Sequence, residues 1–232
     1  MKILALSDIH GNLRTLDHIL AEHSDAALIL VAGDLTNFGG AKEAEEILHS
    51  LCSHPAWPSV CLVPGNCDPL PARRILSGSG LDVDGTGLST DFCRIAGAGG
   101  GLRRAGLTSY ERTEEELGQA LRRGLAAAAA DRAIGKEGSE SPLVVLTHNP
   151  PYGTNADRRA DTHVGSHVFS TIMAEACPTL WVCGHIHESR CVSLEDGTLI
   201  VNPGPCSAGS CAIIDLRVGP GGRNLSEAAL AT

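Results

Sequence analysis

Short apolar runs recur along the chain, and most of them end at a glycine, a carboxylate, an amide or a histidine. Residues 2–7 lead into Asp8, and residues 27–32 lead into Gly33 and Asp34. Apolar runs of about four to eight residues that end at turn residues are typical of buried strands. We therefore predict strands at these two positions and also at 60–63, 92–96, 143–146, 180–183, 199–201 and 211–216.

Between several of these strands, apolar residues recur every three or four positions, which is the spacing of one helix face. This pattern predicts helices over 12–23, 41–51 and 113–132. In the last of them, Thr113 and Glu116 have the spacing of a capping box. Segments 69–91, 97–112 and 150–167 are expected to form loops that set specificity.

Alternating strands and helices without an intervening linker favour a single α/β domain, which we place at residues 1–218. Residues 219–232 are rich in glycine and alanine, and we expect them to form a flexible tail.

Composition narrows the classes of partner. The 232 residues carry a formal net charge of −9, and only 3% of them are aromatic. An acidic chain has no general attraction for nucleic acids or anionic membranes, and few aromatic residues leave few platforms for stacking bases. No apolar run reaches the roughly 18 residues of a membrane-spanning helix. We expect a small soluble substrate, no membrane association and no nucleic-acid polymer.

The nine cysteines are odd in number and include no Cys-x-x-Cys pair. The opening apolar run is too short for a signal peptide and leads directly into Asp8. These features favour a reduced, cytoplasmic protein over a disulfide framework.

Side chains that bind metals follow the predicted strands. They are Asp8, His10, Asp34, Asn66, His148, His185 and His187. Sites in α/β sheets are built at the carboxyl ends of strands, so we expect these side chains to meet. Imidazole and carboxylate groups suit Mn, Fe, Zn, Co or Ni, and an amide oxygen can complete the shell. The set fits two divalent ions, with Asp34 as the shared carboxylate.

The charges of such a site are informative. Two divalent ions would bring four positive charges, whereas Asp8 and Asp34 bring two negative ones. The result is a positive pocket in an acidic protein, and such a pocket favours phosphate oxygens.

The order of these residues resembles the calcineurin-like metallophosphoesterase superfamily. The matching blocks are Asp8-Ile9-His10, Gly33-Asp34, Gly65-Asn66-Cys67-Asp68, His148 and Gly184-His185-Ile186-His187. Segments 147–153 and 201–204 resemble, more narrowly, an Icc-related prokaryotic phosphoesterase group. The resemblance implies an α/β fold: a four-layer α/β/β/α sandwich of two mixed β-sheets flanked by helices.

The resemblance also implies roles for the residues. Asp34 would bridge the two ions. The other ligands would be Asp8, His10 and His187 for the first ion, and Asn66, His148 and His185 for the second. A hydroxide between the ions would attack the phosphorus of a phosphodiester or phosphomonoester, which makes Asp34, Asn66 and His148 catalytic residues through that hydroxide. Manganese is the metal we expect, and Fe, Zn, Co and Ni also fit.

One position departs from the family pattern, because Cys67 stands where a histidine commonly follows the asparagine. A thiol with a pKa of about 8.5 can donate a proton, but it is not a cationic donor. The Gly-Asn-Cys-Asp variant resembles small prokaryotic phosphodiesterases, so we expect an active enzyme. Cys67 itself, or His167 or His163 from a polar loop, is the candidate for the missing role.

Three asparagines near the ligand blocks, Asn12, Asn37 and Asn149, are candidates for substrate contact, although Asn12 could equally cap the first helix. Two alternatives to a phosphodiesterase stay open. One is a phosphomonoesterase or nucleotide pyrophosphatase with the same site, and the other is a non-catalytic metal-binding interaction scaffold of the same fold.

Overall fold

The computed structural model describes residues 1–53, 55, 59–104, 106–130, 141–218 and 224–232, with the side chains of 218 and 224–226 excepted. Its helices are α1 (Leu13–Glu22), α2 (Ala41–Cys52), α3 (Leu70–Gly78), α4 (Glu114–Ala130) and α5 (His167–Ala176). Short 3-10 helices cover Asn155–Asp157, His187–Ser189 and Cys206–Ala208.

Fifteen strands are present in the described residues. They are β1 (Lys2–Leu6), β2 (Leu28–Ala32), β3 (Val60–Val63), β4 (Gly87–Ser89), β5 (Arg94–Ala98), β6 (Gly101–Leu102), β7 (Glu111–Arg112), β8 (Leu143–Thr147), β9 (Arg158–Arg159), β10 (Thr162–His163), β11 (Leu180–Val182), β12 (Cys191–Glu195), β13 (Thr198–Asn202), β14 (Cys211–Val218) and β15 (Asn224–Ala231).

Two large mixed sheets contain eleven of these strands, and the pairs β6-β7 and β9-β10 form two small sheets. The first has the order β15-β14-β1-β2-β3, and the second has the order β12-β13-β11-β8-β5-β4. Strands β1, β2 and β3 are parallel in the first sheet, as are β13, β11, β8 and β5 in the second. Antiparallel strands complete the first sheet on one side, at β14 and β15, and the second sheet at both edges, at β12 and β4.

Successive side chains of each strand point to opposite faces of its sheet. The buried apolar residues therefore form three clusters, one between the two sheets and one between each sheet and its helices. In β1, Ile3 and Ala5 face the second sheet, whereas Leu4 and Leu6 face the helices that cover the first sheet. Helices α1, α2 and α3 pack on this outer face, and α4 and α5 pack on the outer face of the second sheet. The four-layer sandwich is therefore confirmed. No helix in the described ranges is both long enough and apolar enough to span a bilayer.

Helix α4 begins with the expected capping box. The backbone N–H of Glu116 donates to Thr113 Oγ1 at 3.2 Å, and the N–H of Thr113 donates to Glu116 Oε2 at 2.7 Å. The last two residues of the predicted helix, 131 and 132, lie outside the described residues.

Helix α3 corrects the prediction of a loop over 69–91. Prolines 69 and 71 suggest a loop in the sequence, but proline is well tolerated at the first positions of a helix, where its missing N–H has no partner to lose. The helix buries Ala72 and Leu76 against the first sheet.

Strand β15 corrects the prediction of a flexible tail over 219–232. Its eight residues pair antiparallel with β14, from Val218↔Asn224 to Cys211↔Ala231. Small side chains suffice here because the pairing uses the backbone, and Ala228 and Ala231 also pack against the core. Residues 219–223 lie outside the described residues.

Candidate metal centre

The predicted ligands meet at one edge of the sandwich. Asp8, Asp34 and Asn66 follow the parallel strands β1, β2 and β3, whereas His148 and His185 follow β8 and β11 of the second sheet. The backbone N–H of His185 donates to Asp8 Oδ2 at 3.2 Å, so the two sheets are joined at this edge. The site therefore spans the gap between the carboxyl ends of both sheets.

One group of ligand atoms gathers around Asp8. A nitrogen or oxygen atom from each of Asp8, His10 and His187 lies within 4.8 Å of the others. Asp8 Oδ1 is 3.2 Å from His187 Nε2 and 3.8 Å from His10 Nε2. These are the three residues expected for the first ion.

A second group gathers around His148. Its Nε2 atom lies 2.9 Å from Asn66 Oδ1 and 3.5 Å from Asp34 Oδ1. The His185 ring lies edge-on to that of His148, with centroids 4.9 Å apart. The residues expected for the second ion are therefore neighbours.

Asp34 connects the two groups. Its Oδ1 atom faces His148, and its Oδ2 atom lies 3.9 Å from His10 Nε2. The backbone N–H of Cys67 donates to Oδ1 at 2.7 Å and holds the carboxylate in this orientation. One carboxylate thus reaches both groups with different oxygens.

The arrangement fits a cation, because two buried atoms of the predicted ligands lack a hydrogen-bond partner among the described residues. Asp8 Oδ1 and His10 Nδ1 are buried and accept or donate no hydrogen bond within the described structure. Leaving a buried carboxylate oxygen unpaired costs free energy, which a bound cation would offset. Imidazole, carboxylate and amide oxygen are also the donors that divalent transition metals accept.

Hydrogen bonds behind the ligands orient them. His148 Nδ1 lies 2.8 Å from the carbonyl of Ala32, and donation from Nδ1 leaves the lone pair of Nε2 directed at the cluster. Ser7 Oγ donates to Asp8 Oδ2 at 2.5 Å and leaves Oδ1 free. Ser7 was missed by sequence reasoning, since a serine before the first aspartate carries no signal of its own.

Backbone strain accompanies this orientation. Asp8, His10, Asp34 and His185 all have positive φ angles, between 48° and 69°. Such conformations are uncommon for residues with side chains and persist where the surrounding structure enforces them, often at functional sites. Close packing adds to the constraint, since a Cβ on Gly65 would overlap the Asp34 carboxylate and one on Gly33 would overlap the His148 ring.

The electrostatics favour an ionised Asp8 and a neutral His185. Burial opposes ionisation of Asp8, but the adjacent His187 imidazole and the charge of His148 outweigh it and lower the pKa of Asp8 to about 2. Burial lowers the pKa of His185 to about 4, so this imidazole is neutral and its lone pair is available. For His187, the adjacent Asp8 carboxylate raises the pKa.

Cys67 lies among the ligands but is a poor thiolate. Its sulfur belongs to a group with His10 and Asp34 whose atoms lie within 4.8 Å of one another. Burial, followed by the charge of Asp34, raises the pKa of the thiol well above its usual value. Cys67 is therefore a neutral thiol that lines the site.

Asp68 joins the turns that follow β2 and β3. Its fully buried carboxylate accepts from Gly65 N at 2.7 Å, Thr36 N at 2.7 Å, Thr36 Oγ1 at 2.9 Å and Leu35 N at 3.2 Å. These bonds occupy it inside the structure, and they hold Asp34 and Asn66 in register.

The three candidate substrate residues have different environments. Asn12 caps α1 by accepting from Thr15 N at 3.2 Å, and its amide donates to the Ser207 carbonyl at 2.9 Å. Asn37 is exposed. Asn149 is fully buried and donates only a long bond, 3.5 Å, to the Gly100 carbonyl.

The candidate metal-binding groups among the described residues include neither His163 nor His167. His163 Nδ1 lies 2.5 Å from Asp157 Oδ1, and the His167 ring stacks on Tyr152 with centroids 3.8 Å apart. Both histidines contact residues of the segment 152–167, and their role in place of the histidine that Cys67 replaces stays a prediction.

Comparisons with known proteins indicate the family and the fold of the chain. A family model described as calcineurin-like phosphoesterase matches residues 1–189. The "uncharacterized protein MJ1162" of Methanocaldococcus jannaschii is 31% identical over 212 residues, which cover 89% of each chain. TT1561 of Thermus thermophilus has a similar fold, with a TM-score of 0.69 and 19% identity over 97% of each chain. A dimetal phosphatase from Danio rerio also shares the fold, with a TM-score of 0.63 and 10% identity over 92% of each chain.

The family match covers most of the chain, and the ligand residues that it spans converge in space. The chain therefore belongs to the calcineurin-like phosphoesterase family, and it is a metal-dependent hydrolase of phosphoric esters.

Proposed function

We propose that the chain uses two divalent ions to hydrolyse a phosphodiester bond of a small substrate. The observation that supports this most directly is the position of Asp34, whose two oxygens face two separate groups of ligands. Asp8, His10 and His187 would hold one ion, Asn66, His148 and His185 the other, and Asp34 would touch both. Divalent ions so placed would polarise the phosphoryl oxygens and acidify the attacking water.

The residues themselves orient the reaction. The hydrogen bonds from Ser7 and Cys67 fix the carboxylates of Asp8 and Asp34, which cannot turn away as the substrate arrives. Burial excludes water behind Asp8 and His148, which strengthens their electrostatic contacts. Preorganised charge of this kind stabilises a phosphoryl group that gains charge during transfer.

Substrate would enter from the side of the two exposed ligands. The His187 side chain is 46% exposed and that of His10 is 19% exposed, whereas Asp8 and His148 are almost fully buried. A phosphoester in solution can therefore reach the first group of ligands directly. The same opening suits small substrates, and the charge of −9 disfavours polymeric nucleic acid.

The proposal is tested by metal analysis and a substrate panel. Elemental analysis of the purified chain should give two ions per chain, and turnover of a chromogenic phosphodiester should depend on them. Faster turnover of the matching monoester would indicate a phosphomonoesterase or pyrophosphatase instead. Two bound ions without turnover of any phosphoester would favour the interaction scaffold. Manganese as the metal and the cytoplasm as the location stay predictions.

A further inference from the structure

The backbone of Asn66 is held by residues that lie outside the predicted ligand set. The backbone N–H of Tyr110 donates to the backbone carbonyl of Asn66 at 3.0 Å. The Tyr110 carbonyl accepts from Gly101 N at 2.9 Å, and a Cβ on Gly101 would lie 2.7 Å from the Asn66 Cβ. Asn66 is thus held between Tyr110 and the turn at Gly101.

Asp84 in turn holds both of these segments. Its Oδ2 atom accepts from the Tyr110 hydroxyl at 2.8 Å, and its Oδ1 atom accepts from Gly99 N at 2.9 Å. Arg112 donates to the same Oδ1 at 2.6 Å and to the Gly99 carbonyl at 3.0 Å. One carboxylate therefore ties together the turn and the tyrosine that enclose Asn66.

The tyrosine ring is fixed as well. The guanidinium of Arg73 lies 3.8 Å from the ring centroid, and that of Arg112 lies 4.6 Å from it. Cations over an aromatic face restrict its movement and add attraction. The Asp84 side chain is only 10% exposed, so its bonds are poorly screened by solvent.

The backbone on either side of Asp84 is fixed, because it is hydrogen-bonded to both large sheets. Val83 N donates to the Leu62 carbonyl of β3 at 2.9 Å, and Gly85 N donates to the Gly97 carbonyl of β5 at 3.0 Å. The Asp84 carboxylate is therefore held in place, and its bonds to Tyr110 and Gly99 can fix the position of Asn66.

We infer that Asp84, acting through Tyr110 and the turn at Gly99–Gly101, is a positioning residue for the ion that Asn66 would hold. This inference rests on the proposed function. Partners behind a metal ligand commonly change metal affinity by about 10- to 100-fold when they are replaced. Because the bonds of Asp84 lead to Asn66 and not to His10 or His187, the effect should fall on one of the two ions.

The test is a calorimetric titration of the metal-free protein with Mn²⁺. The wild-type chain should bind two ions, and Asp84→Asn should weaken one of them about tenfold or more while leaving the other within about twofold. Tyr110→Phe, which keeps the ring and the backbone and loses only the hydroxyl bond, should weaken the same ion to a smaller extent. This second variant keeps the inference testable if Asp84→Asn folds poorly.

Glu111→Gln is the matched control. The Glu111 carboxylate accepts four bonds from residues 106–108, beside Tyr110, but none of them leads to Asn66. It should leave both affinities unchanged. Two unchanged affinities in Asp84→Asn and Tyr110→Phe, or equal losses at both sites, would overturn the inference and leave the proposed function intact. A wild-type chain that binds fewer than two ions would overturn both.

Discussion

The two sides of the metal centre are built differently. His148 and Asn66 are buried, and each has a partner behind it, the Ala32 carbonyl for one and Tyr110 for the other. His187 is half-exposed and His10 is partly exposed, and His10 Nδ1 has no partner among the described residues. We call these the deep side and the open side. We infer that the deep side fixes the positions of its side chains, whereas substrate enters from the open side.

The largest effect is expected where the two sides meet. Asp34→Asn removes the charge that both sides share, so activity should fall about 10³-fold or more, and both ions should bind more weakly. Turnover of a phosphodiester and metal content measure this. Asp25→Asn, which alters an exposed carboxylate beside Lys2, is the control. Loss of only one ion would show that Asp34 belongs to one side alone.

The two sides should also differ in their effect on folding. His148→Ala opens a buried site and removes a partner of the Ala32 carbonyl, whereas His187→Ala changes a half-exposed side chain. Without metal, the free energy of unfolding in urea should fall at least about 1 kcal/mol further for His148→Ala. Similar losses in the free energy of unfolding for both variants would contradict the difference between the deep side and the open side. Both variants should lose activity.

Acid should act on His185 and His187 with opposite signs. The pKa of His185 is lowered by burial to about 4, so its contribution to the stability of the metal-free protein is present above about pH 6.5 and is lost as the pH falls towards 4. Between pH 7 and pH 5 this loss is about 2 kcal/mol. The pKa of His187 is raised by the adjacent Asp8 carboxylate, so its contribution is present below about pH 6.5 and is lost as the pH rises above that value.

Urea unfolding at pH 7 and pH 5 measures both contributions. His185→Asn should reduce the decline in stability on acidification, and His187→Asn should increase it. His18→Asn, on the exposed surface of α1, should leave the pH dependence unchanged. A steeper decline for His185→Asn would contradict the assignment of the neutral, buried histidine.

The smallest effect is expected at Cys67, which lies between the two sides. Cys67→His should leave turnover of good leaving groups nearly unchanged and raise turnover of poor ones by a few-fold, because imidazolium is a better acid than a thiol whose pKa is raised. The ratio of rates on two esters with different leaving groups measures this. Complete loss of activity would show that the thiol has a role of its own.

The ligand positions were accessible from the sequence because each follows an apolar run that forms a buried strand. Their positions at the ends of strands therefore predict the edge of the sheets where they lie. These residues are Asp8, Asp34, Asn66, His148 and His185. Their roles as ligands stay a prediction, although the structure brings them together.

Other features depend on information that local patterns lack. Helix α3 begins with prolines that resemble a loop, and the small residues of β15 resemble a tail until β14 pairs with them. The contact of Asp84 with Tyr110 joins residues 26 positions apart through side chains alone. No periodicity in the sequence could indicate that meeting.

Strand β15 has a practical consequence for anyone shortening the chain. It covers the outer edge of β14 along eight residue pairs, and the Ala231 carbonyl accepts from Arg190 Nη2 at 2.6 Å. Truncation after residue 218 would uncover a row of unpaired amide and carbonyl groups on β14, and such edges recruit strands from other molecules. A shortened chain would therefore self-associate, so expression vectors should keep these residues and place any affinity tag beyond them.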